Sequence, residues 1–407
     1  MNRTLRYDAI VVGSRCAGAP TAMLLARMGY HVLVLDRAVS LTDPISTHNL
    51  VQPGLVMMRR WGLLQRLAAT GCPQATSTRV TLDTTTFEVP IPPVAGIDYS
   101  FAPRRRVLDA LLTDAAREAG ADIRLGHSVR SLLWHDGQVA GVVARDPRGS
   151  TFIAAAPVVV GADGPRSLVA RAVKARHYRR RPAGNCVYYA YWKDVPAPDM
   201  VEMAIMPGRA MAIFPTHDGE ACVLAARPTA EWPAYRQAPE REYLSILAAV
   251  PGFEQRVLDG RRVSRFFGSA DLPNVFRQAC GPGWALVGDA GLVKDPGPGR
   301  GMSDAFRQAD QLAAAIDDGL SGRLAMQTAL ATYGAWRDET FGPVFETTAE
   351  LAQPTASIDE LAFRILRHDQ AVVDDHDVLT LEDEAHGNET QLIVPECVND
   401  GAAHQPA

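Results

Sequence analysis

Glycine and aspartate recur in a stretch near the N-terminus whose spacing suits the binding of a phosphorylated ligand. Residues 9–36 read AIVVGSRCAGAPTAMLLARMGYHVLVLD, so that Gly13 ends one apolar run and Asp36 ends the next. Backbone N–H groups at the start of a helix after such a turn bind phosphate, and a carboxylate about twenty residues further on can hold a ribose diol. Gly18 allows that helix to pack closely on the strand. The stretch therefore predicts a strand–turn–helix–strand unit for a dinucleotide, although Arg15 occupies the position where the G-x-G-x-x-G pattern has its middle glycine.

Two further stretches repeat the combination of an apolar strand with glycine and aspartate. The stretch VVVGADGPRSLVAR places Asp163 and Gly164 directly after its apolar run. Residues 284–316 read WALVGDAGLVKDPGPGRGMSDAFRQADQLAAAI, in which Asp289 follows a strand and a glycine- and proline-rich loop precedes a helix that begins near Gly301. The positive N-terminal end of that helix would stabilise a negative charge placed before it. Each stretch alone is often only a turn, but the three in this order favour a cofactor site.

The composition excludes several function classes. The 407-residue chain has a net charge of −5 and no basic tract, so a nucleic-acid footprint is absent. Its apolar runs fall short of the ~18–20 residues of a membrane span, and the first strand begins too early to leave room for a secretory signal. The six cysteines are scattered without a C-x-x-C pair, which argues against a redox disulfide or a zinc site. We therefore expect a cytoplasmic protein without a metal ion.

Together, the three motifs resemble those of the flavoprotein monooxygenases of the para-hydroxybenzoate hydroxylase type, known as class A, over residues 8–340. The sequence GSRCAG and the tripeptide STH at residues 46–48 resemble a subgroup with a G-x-R-C-A-G motif. The resemblance implies an α/β fold with a Rossmann-like FAD-binding domain of the glutathione-reductase type, an inserted mixed β-sheet substrate domain and C-terminal helices. Arg15 is compatible with this fold if its side chain leaves the pyrophosphate channel, and it could turn back onto phosphate or flavin.

The domain organisation implied by the resemblance interleaves the two domains along the chain. The expected boundaries are 1–75, 101–180 and 271–340 for the three parts of the FAD-binding domain, 76–100 and 181–270 for the substrate domain, and 341–407 for a C-terminal helical segment with an acidic tail. From residue 371 onward the chain has nine acidic side chains and no lysine or arginine. We expect that tail to be a solvated terminus.

The resemblance also assigns individual residues to FAD. Asp36 would hold the adenosine ribose, Asp289 would hold the ribityl chain, and Asp163 would lie near the pyrophosphate. The loop 296–302 would wrap around the flavin pyrimidine. The full set of residues expected to contact FAD is Gly13, Arg15, Cys16, Ala17, Gly18, Asp36, Arg37, Thr47, His48, Arg105, Val129, Asp163, Gly164, Asp289, Pro296, Gly299, Arg300, Gly301 and Met302.

The activity that the resemblance implies is oxygen transfer to an apolar or aromatic small molecule, as in secondary metabolism. In this family NADH or NADPH reduces the flavin, O2 adds to it, and the C4a-hydroperoxide hydroxylates or epoxidises the substrate. The chain departs from most relatives at Leu292, Asp295 and Ser303, which leaves the reductant and the substrate open. The alternative is an FAD-dependent reductase of the geranylgeranyl reductase type, whose aromatic signature is only half present at residues 210–215. The sequence does not decide between a monomer and a homodimer.

The residues expected beside the flavin ring as candidates for catalysis are Asp295, Pro296 and His48. Asp295 would accept a proton or a hydrogen bond from a substrate hydroxyl, and the alternative is an exposed carboxylate paired with Lys294. The aromatic residues expected to contact the substrate are Tyr189, Tyr191 and Phe214. For these aromatic residues the alternative is an ordinary place in the hydrophobic core.

The substrate half of the sequence alternates with the period of β-strands. In NCVYYAYWKDV, Tyr189 and Tyr191 would face one side of a sheet, and Tyr188 and Trp192 would face the other. The next segment predicts a hairpin that turns at Asp218 and the glycine after it, with His217 as a simple turn residue. This sheet would cover the flavin.

Overall fold

The computed structural model describes residues 4–46, 48–196, 200–353 and 357–391, so that Thr47 lies outside the described residues. In chain order the strands are β1 (Leu5–Arg6), β2 (Ala9–Val12), β3 (Val32–Asp36), β4 (Gln74–Ala75), β5 (Ser77–Leu82), β6 (Thr85–Pro90), β7 (Ser100–Phe101), β8 (Asp122–Leu125), β9 (Ser128–His135), β10 (Gln138–Arg145), β11 (Thr151–Ala155), β12 (Val158–Gly161), β13 (His177–Arg181), β14 (Asn185–Lys193), β15 (Val201–Met206), β16 (Arg209–Pro215), β17 (Glu220–Pro228), β18 (Arg261–Arg262), β19 (Phe267–Ser269), β20 (Asn274–Arg277), β21 (Cys280–Gly281), β22 (Trp284–Leu286) and β23 (Leu292–Val293). The α-helices are α1 (Gly18–Arg27), α2 (Gln52–Arg60), α3 (Leu64–Ala68), α4 (Arg105–Glu118), α5 (Leu168–Ala172), α6 (Trp232–Gln237), α7 (Pro239–Leu247), α8 (Phe253–Leu258), α9 (Gly301–Leu320), α10 (Met326–Leu351) and α11 (Ile358–Gln391).

A mostly parallel sheet of order β21-β22-β12-β2-β3-β8 forms the centre of the Rossmann-like half. Its inner strands are apolar apart from the final Asp36 of β3, because both faces of the sheet are covered, as expected for parallel strands. Helices α1, α2, α4 and α9 contribute to the core on one face, and the antiparallel strands β9 to β11 cover the other. The predicted α/β fold with a Rossmann-like domain is confirmed.

The second large sheet has the order β18-β14-β17-β16-β15-β5-β6 and also includes β19. Tyr188 and Trp192 pack on one face with helices α6 to α8, whereas Tyr189 and Tyr191 pack on the other. The predicted alternation along β14 is therefore confirmed. The hairpin of β16 and β17 turns as predicted, through a 3₁₀ turn in which Asp218 has a φ of 64°.

The C-terminal part of the chain is helical up to residue 391. Helix α10 packs on α9, and α11 packs on α10. The expectation of a solvated terminus from residue 371 is wrong at Asp375, whose carboxylate is buried between two arginines of the α9 segment. No helix in the described ranges is both long and apolar enough to cross a bilayer, and no group of His, Cys, Asp or Glu side chains in those ranges is arranged to hold a metal ion.

Candidate functional site

A cavity of about 760 Å³ lies where the carboxyl ends of the central strands meet the second sheet and the N-terminus of α9. Ligands bind at this edge of open α/β sheets because the loops there are free to shape a site. Most residues that the sequence assigns to the site line this cavity, namely Gly13, Arg15, Cys16, Ala17, Asp36, Arg37, Arg105, Val129, Asp163, Gly164, Tyr189, Asp289, Asp295, Pro296, Gly299, Arg300, Gly301 and Met302.

The turn between β2 and α1 has no room for larger residues at two of its glycines. A Cβ atom on Gly13 would lie 2.4 Å from the carbonyl oxygen of Ala162, and Gly13 has a φ of 103°. Gly18 lies behind the cavity wall, where a Cβ atom would lie 1.8 Å from the carbonyl oxygen of Gly13. Helix α1 has no side-chain cap, so no side chain occupies its N-terminus at the cavity edge, where a phosphate could bind.

Arg15 lines the cavity, but its guanidinium is turned toward a neighbouring helix. Its Nη1 donates to Asp109 Oδ2 at 2.8 Å and to the carbonyl oxygen of Thr42 at 2.9 Å. Asp109 is fully buried and also accepts hydrogen bonds from Arg105 and from the Cys16 thiol. The arginine at the position of the middle glycine is therefore accommodated because its side chain leaves the start of α1 free.

Two carboxylates stand at strand ends where a ribose and a pyrophosphate are expected. Asp36 accepts hydrogen bonds from the backbone and hydroxyl of Ser14, at 2.8 and 2.9 Å, and from the backbone of Ala38 at 2.8 Å. Asp163 Oδ2 accepts from the Leu168 N–H at 2.6 Å, while its buried Oδ1 has no partner among the described residues. Burial raises the pKa of Asp163. The geometry leaves acceptor capacity at both carboxylates for a ligand.

Asp289 follows β22 in a short 3₁₀ turn and opens its carboxylate into the cavity. The surrounding protein raises the pKa of Asp289 to about 6, because enclosure outweighs the attraction of Arg105 and Arg277. Helix α9 begins at Gly301, as predicted, and its N-terminus has no side-chain cap. A Cβ atom on Gly301 would meet no atom within 4 Å, which shows that the cavity is open at this point.

Asp295 is buried in the cavity wall, only 5% exposed. Its Oδ1 accepts from the Gly297 N–H at 3.0 Å, and its Oδ2 has no partner within the described part of the chain. Burial raises the pKa of Asp295 to about 6. The alternative of an exposed carboxylate paired with Lys294 is wrong, because Lys294 Nζ lies 2.5 Å from Asp304 instead. The catalytic role of Asp295 itself stays a prediction.

His48, Tyr191 and Phe214 are buried beside the cavity and do not line it. The Nδ1 of His48 lies 2.8 Å from the Ser46 carbonyl oxygen, and its Nε2 bonds the Tyr191 hydroxyl. Burial lowers the pKa of His48 to about 3, so the ring is neutral at physiological pH. The guanidinium of Arg104 covers the Tyr191 ring at 3.4 Å. The rings of His48 and Tyr191 are thereby in contact with other protein groups. Of the three aromatic residues expected to contact the substrate, only Tyr189 reaches the cavity.

Several charged residues of the site region were not assigned to the site from the sequence. Lys294 and Asp304 line the cavity as a buried pair, and Arg307 lies one turn further along α9. His217 is not a simple turn residue, since it is buried with Nε2 2.9 Å from the Thr70 hydroxyl. The local composition of a turn gives no signal for that burial. For Lys294 and Asp304, their place next to the loop 296–302 was the available signal.

The residues present fit FAD on several independent grounds. Two uncapped helix N-termini, α1 and α9, meet the same cavity, as a ligand with a pyrophosphate and an electron-poor ring requires. Asp36 and Asp289 lie at the carboxyl ends of two different strands of the central sheet, β3 and β22, and both offer acceptor oxygens for hydroxyl groups. The volume also lies within the ~300–1,000 Å³ of typical cofactor and ligand sites.

Replacing Arg15 with Gly should leave FAD binding intact and change its affinity by less than about tenfold. The reason is that buried Asp109 keeps Arg105 as a partner when Arg15 is removed. The unfolding free energy should fall by ~1 kcal/mol, because the Arg15 side chain is 26% exposed and its ion pair is partly screened. Titration of the apoprotein with FAD and thermal unfolding measure both effects. Arg166→Gly, which removes an exposed ion pair at the same cavity, is the control. Identical affinity and reduction kinetics in Arg15→Gly would make Arg15 a bystander.

Comparison with known proteins agrees with this geometry. The sequence matches the family described as FAD binding domain over residues 6–346. A digeranylgeranylglycerophospholipid reductase from Methanocella arvoryzae is 24% identical over 374 residues, which cover 90% of this chain and 92% of the relative. The G-x-R-C-A-G subgroup stays a prediction.

Two solved structures share the fold. The myxobacterial chondrochloren halogenase superimposes with a TM-score of 0.79 at 19% identity, over 93% of this chain and 97% of the halogenase. A probable FAD-dependent monooxygenase from Pseudomonas aeruginosa superimposes with a TM-score of 0.76 at 21% identity, over 88% of this chain and 99% of that chain. Since the family match covers most of the sequence, the chain belongs to the FAD binding domain family and is an FAD-dependent oxidoreductase.

Proposed function

We propose that the chain is an FAD-dependent monooxygenase that hydroxylates or epoxidises a compact apolar or aromatic small molecule. The observation that carries this proposal is the buried Asp295 carboxylate, which lies in the same cavity as the residues assigned to FAD. A carboxylate with one oxygen left free by the described residues suits a general base for a substrate hydroxyl. NADH or NADPH would be the reductant and O2 the second substrate.

Carboxylates and helix N-termini would hold FAD along the cavity. Asp36 would bind the adenosine ribose, the start of α1 the pyrophosphate, and Asp289 the ribityl chain. The N-terminus of α9 would stabilise negative charge on the pyrimidine side of the ring. FAD supplies electron transfer and oxygen activation, and the protein supplies orientation and a cavity with little water.

The second sheet contributes apolar side chains to the cavity wall. Val187, Tyr189 and Leu224 of the second sheet line the cavity. The Tyr189 hydroxyl donates to the Pro44 carbonyl oxygen at 2.8 Å, and its ring stacks on Phe267 with centroids 5.1 Å apart. Tyr189 is thereby held in place as part of an apolar wall, which favours an apolar or aromatic substrate.

Asp295 would then act on a hydroxyl of the bound substrate. The Gly297 N–H fixes Oδ1, and this leaves Oδ2 to accept the proton. Removing the proton from a phenol raises the electron density of its ring carbons, which promotes attack on an electrophilic oxygen.

A reductase of the geranylgeranyl reductase type is the second candidate. It is supported by the Methanocella arvoryzae relative, which matches over most of both chains. The place of the Asp295 carboxylate in the cavity wall favours the first candidate. The buried carboxylate is easier to explain beside a polar hydroxyl than beside a hydrocarbon.

The two candidates differ in what they add to the substrate. The purified protein, loaded with FAD and given NADH or NADPH, is tested against a panel of phenols and isoprenoid alcohols under air and under argon. A monooxygenase gives a product heavier by one oxygen atom under air, and no product under argon. A product heavier by two hydrogen atoms that forms equally under argon would instead establish the reductase.

A further inference from the structure

Five charged side chains form a buried cluster at the start of α9. Lys294 Nζ lies 2.5 Å from Asp304, and Arg307 lies 2.6 Å from Asp375. Arg300 bonds the other oxygen of Asp375. The side chains of all five residues are at most 7% exposed. Such pairs interact strongly because little water screens them.

The cluster carries a surplus of positive charge. It contains three basic side chains and two carboxylates. Burial lowers the pKa of Lys294, and the attraction of Asp304 opposes that shift and favours the charged form. The two histidines of α11 beside the cluster are neutral, because burial lowers the pKa of His376 to about 4 and that of His368 to about 3. Three of its members, Lys294, Arg300 and Asp304, line the cavity at the loop expected around the flavin pyrimidine. The surplus positive charge of the cluster therefore adds to the positive potential at the N-terminal end of α9.

One member of the cluster comes from a different part of the chain. Asp375 lies in α11, beyond residue 346, where the match to the FAD binding domain family ends. It does not line the cavity, and it reaches the site through Arg300 and Arg307. Without Asp375 the cluster would hold three cations and one carboxylate.

We propose that Asp375 is a positioning residue through which the C-terminal helix sets the positive charge of the flavin loop and thereby the relative affinity for reduced and oxidised FAD. Uptake of two electrons and one proton converts the neutral ring to its reduced anion, and that anion is bound more tightly when the loop is more positive. Because the carboxylate of Asp375 offsets the charge of one cation, it keeps the preference of the loop for reduced over oxidised FAD moderate. The proposal requires FAD in the cavity, but it does not depend on whether the enzyme is a monooxygenase or a reductase.

The test compares the FAD-loaded wild type with four variants, in the absence of substrate. The two-electron reduction potential is measured by stepwise reduction with dithionite against a reference dye. Asp375→Asn should favour reduced over oxidised FAD by about tenfold, which raises the potential by about 30 mV. Arg307→Gln removes a cation, so it should shift the ratio of the affinities for reduced and oxidised FAD by a similar factor in the opposite direction.

Two further variants separate charge from structural damage. The double variant Asp375→Asn with Arg307→Gln removes one charge of each sign, so its ratio should return to within twofold of wild type. Asp374→Asn removes a charge from the adjacent, exposed position of the same helix and should leave the ratio unchanged. If Asp375→Asn is too unstable to purify, Arg307→Gln still decides, because Asp375 keeps Arg300 as its partner there. The proposal would be overturned if the reduction potential shifted with the same sign in Asp375→Asn and Arg307→Gln. It would also be overturned if the potential did not shift in Arg307→Gln, or if Asp374→Asn shifted it as much as Asp375→Asn.

Discussion

Replacing Asp289 with Ala should weaken FAD binding by ~1–3 kcal/mol, which corresponds to roughly 5- to 150-fold in the dissociation constant. In the proposed binding mode, the Asp289 carboxylate accepts hydrogen bonds from the ribityl hydroxyls, and alanine offers no acceptor. Arg105 and Arg277, which attract this carboxylate, would also lose a nearby negative charge. The loss should therefore appear in FAD affinity more than in the fold.

The measurement is the quenching of FAD fluorescence on titration with apoprotein. Asp271→Ala is the matched control, because Asp271 lines the same cavity and its carboxylate is already paired with Arg166. That variant should bind FAD within about twofold of wild type. An Asp289→Ala protein with wild-type affinity would remove Asp289 from the FAD site. Equal losses in both variants would point to a general effect of charge.

The sequence predicts those parts of the site whose geometry is determined locally. Gly13, Gly18 and Asp36 lie within one strand–turn–helix–strand unit, so their spacing along the chain sets their positions in space. The same is true of the start of α9 at Gly301, since a glycine- and proline-rich loop leads directly into an amphipathic helix. Alternation along β14 likewise follows from the two-residue period of a strand.

Contacts between distant segments could not be predicted in this way. The orientation of Arg15 depends on Asp109, which is 94 residues away, and on Thr42 in a separate loop. The burial of Asp375 depends on Arg300 and Arg307, and the acidic composition around it points to solvent instead. In both cases an ion pair across the tertiary structure outweighs the local composition.

The aromatic residues of β14 show a third limit. The two-residue period places Tyr189 and Tyr191 on the same face of the sheet, and both are buried there. Only Tyr189 reaches the cavity, because Arg104 and His48 cover Tyr191. Which of two residues on one face contacts a ligand depends on side chains from other segments, and no pattern within the strand contains that information.

Asp295→Asn should reduce substrate-coupled turnover by ~10²–10⁴-fold, the usual contribution of a general base, while FAD stays bound. Asparagine has nearly the same shape and its oxygen can still accept from the Gly297 N–H, but it cannot take a proton. The measurement is the rate of product formation under air with a phenolic substrate. Asp271→Asn is the control with an exposed carboxylate at the same cavity, and it should retain turnover within a few-fold.

The pH dependence of turnover provides an independent check on Asp295. A general base must be deprotonated, and the pKa of Asp295 is raised to about 6 by burial. Wild-type turnover should therefore rise as the pH increases through about 6, and this step should be absent in Asp295→Asn.

The stability of the folded protein should change with pH in the direction opposite to that of turnover. A carboxyl whose pKa is higher in the folded than in the unfolded protein binds its proton more tightly when folded, so its contribution to stability falls as the pH rises from about 4 to 6. Asp289, whose pKa is also about 6, should add to the same trend. Because Asp295→Asn removes a buried charge, it should be at least as stable as wild type at pH 7 by thermal unfolding.

A variant that loses turnover while keeping its stability and its FAD would identify Asp295 as a catalytic residue. Turnover within a few-fold of wild type, with the pH step retained, would exclude it.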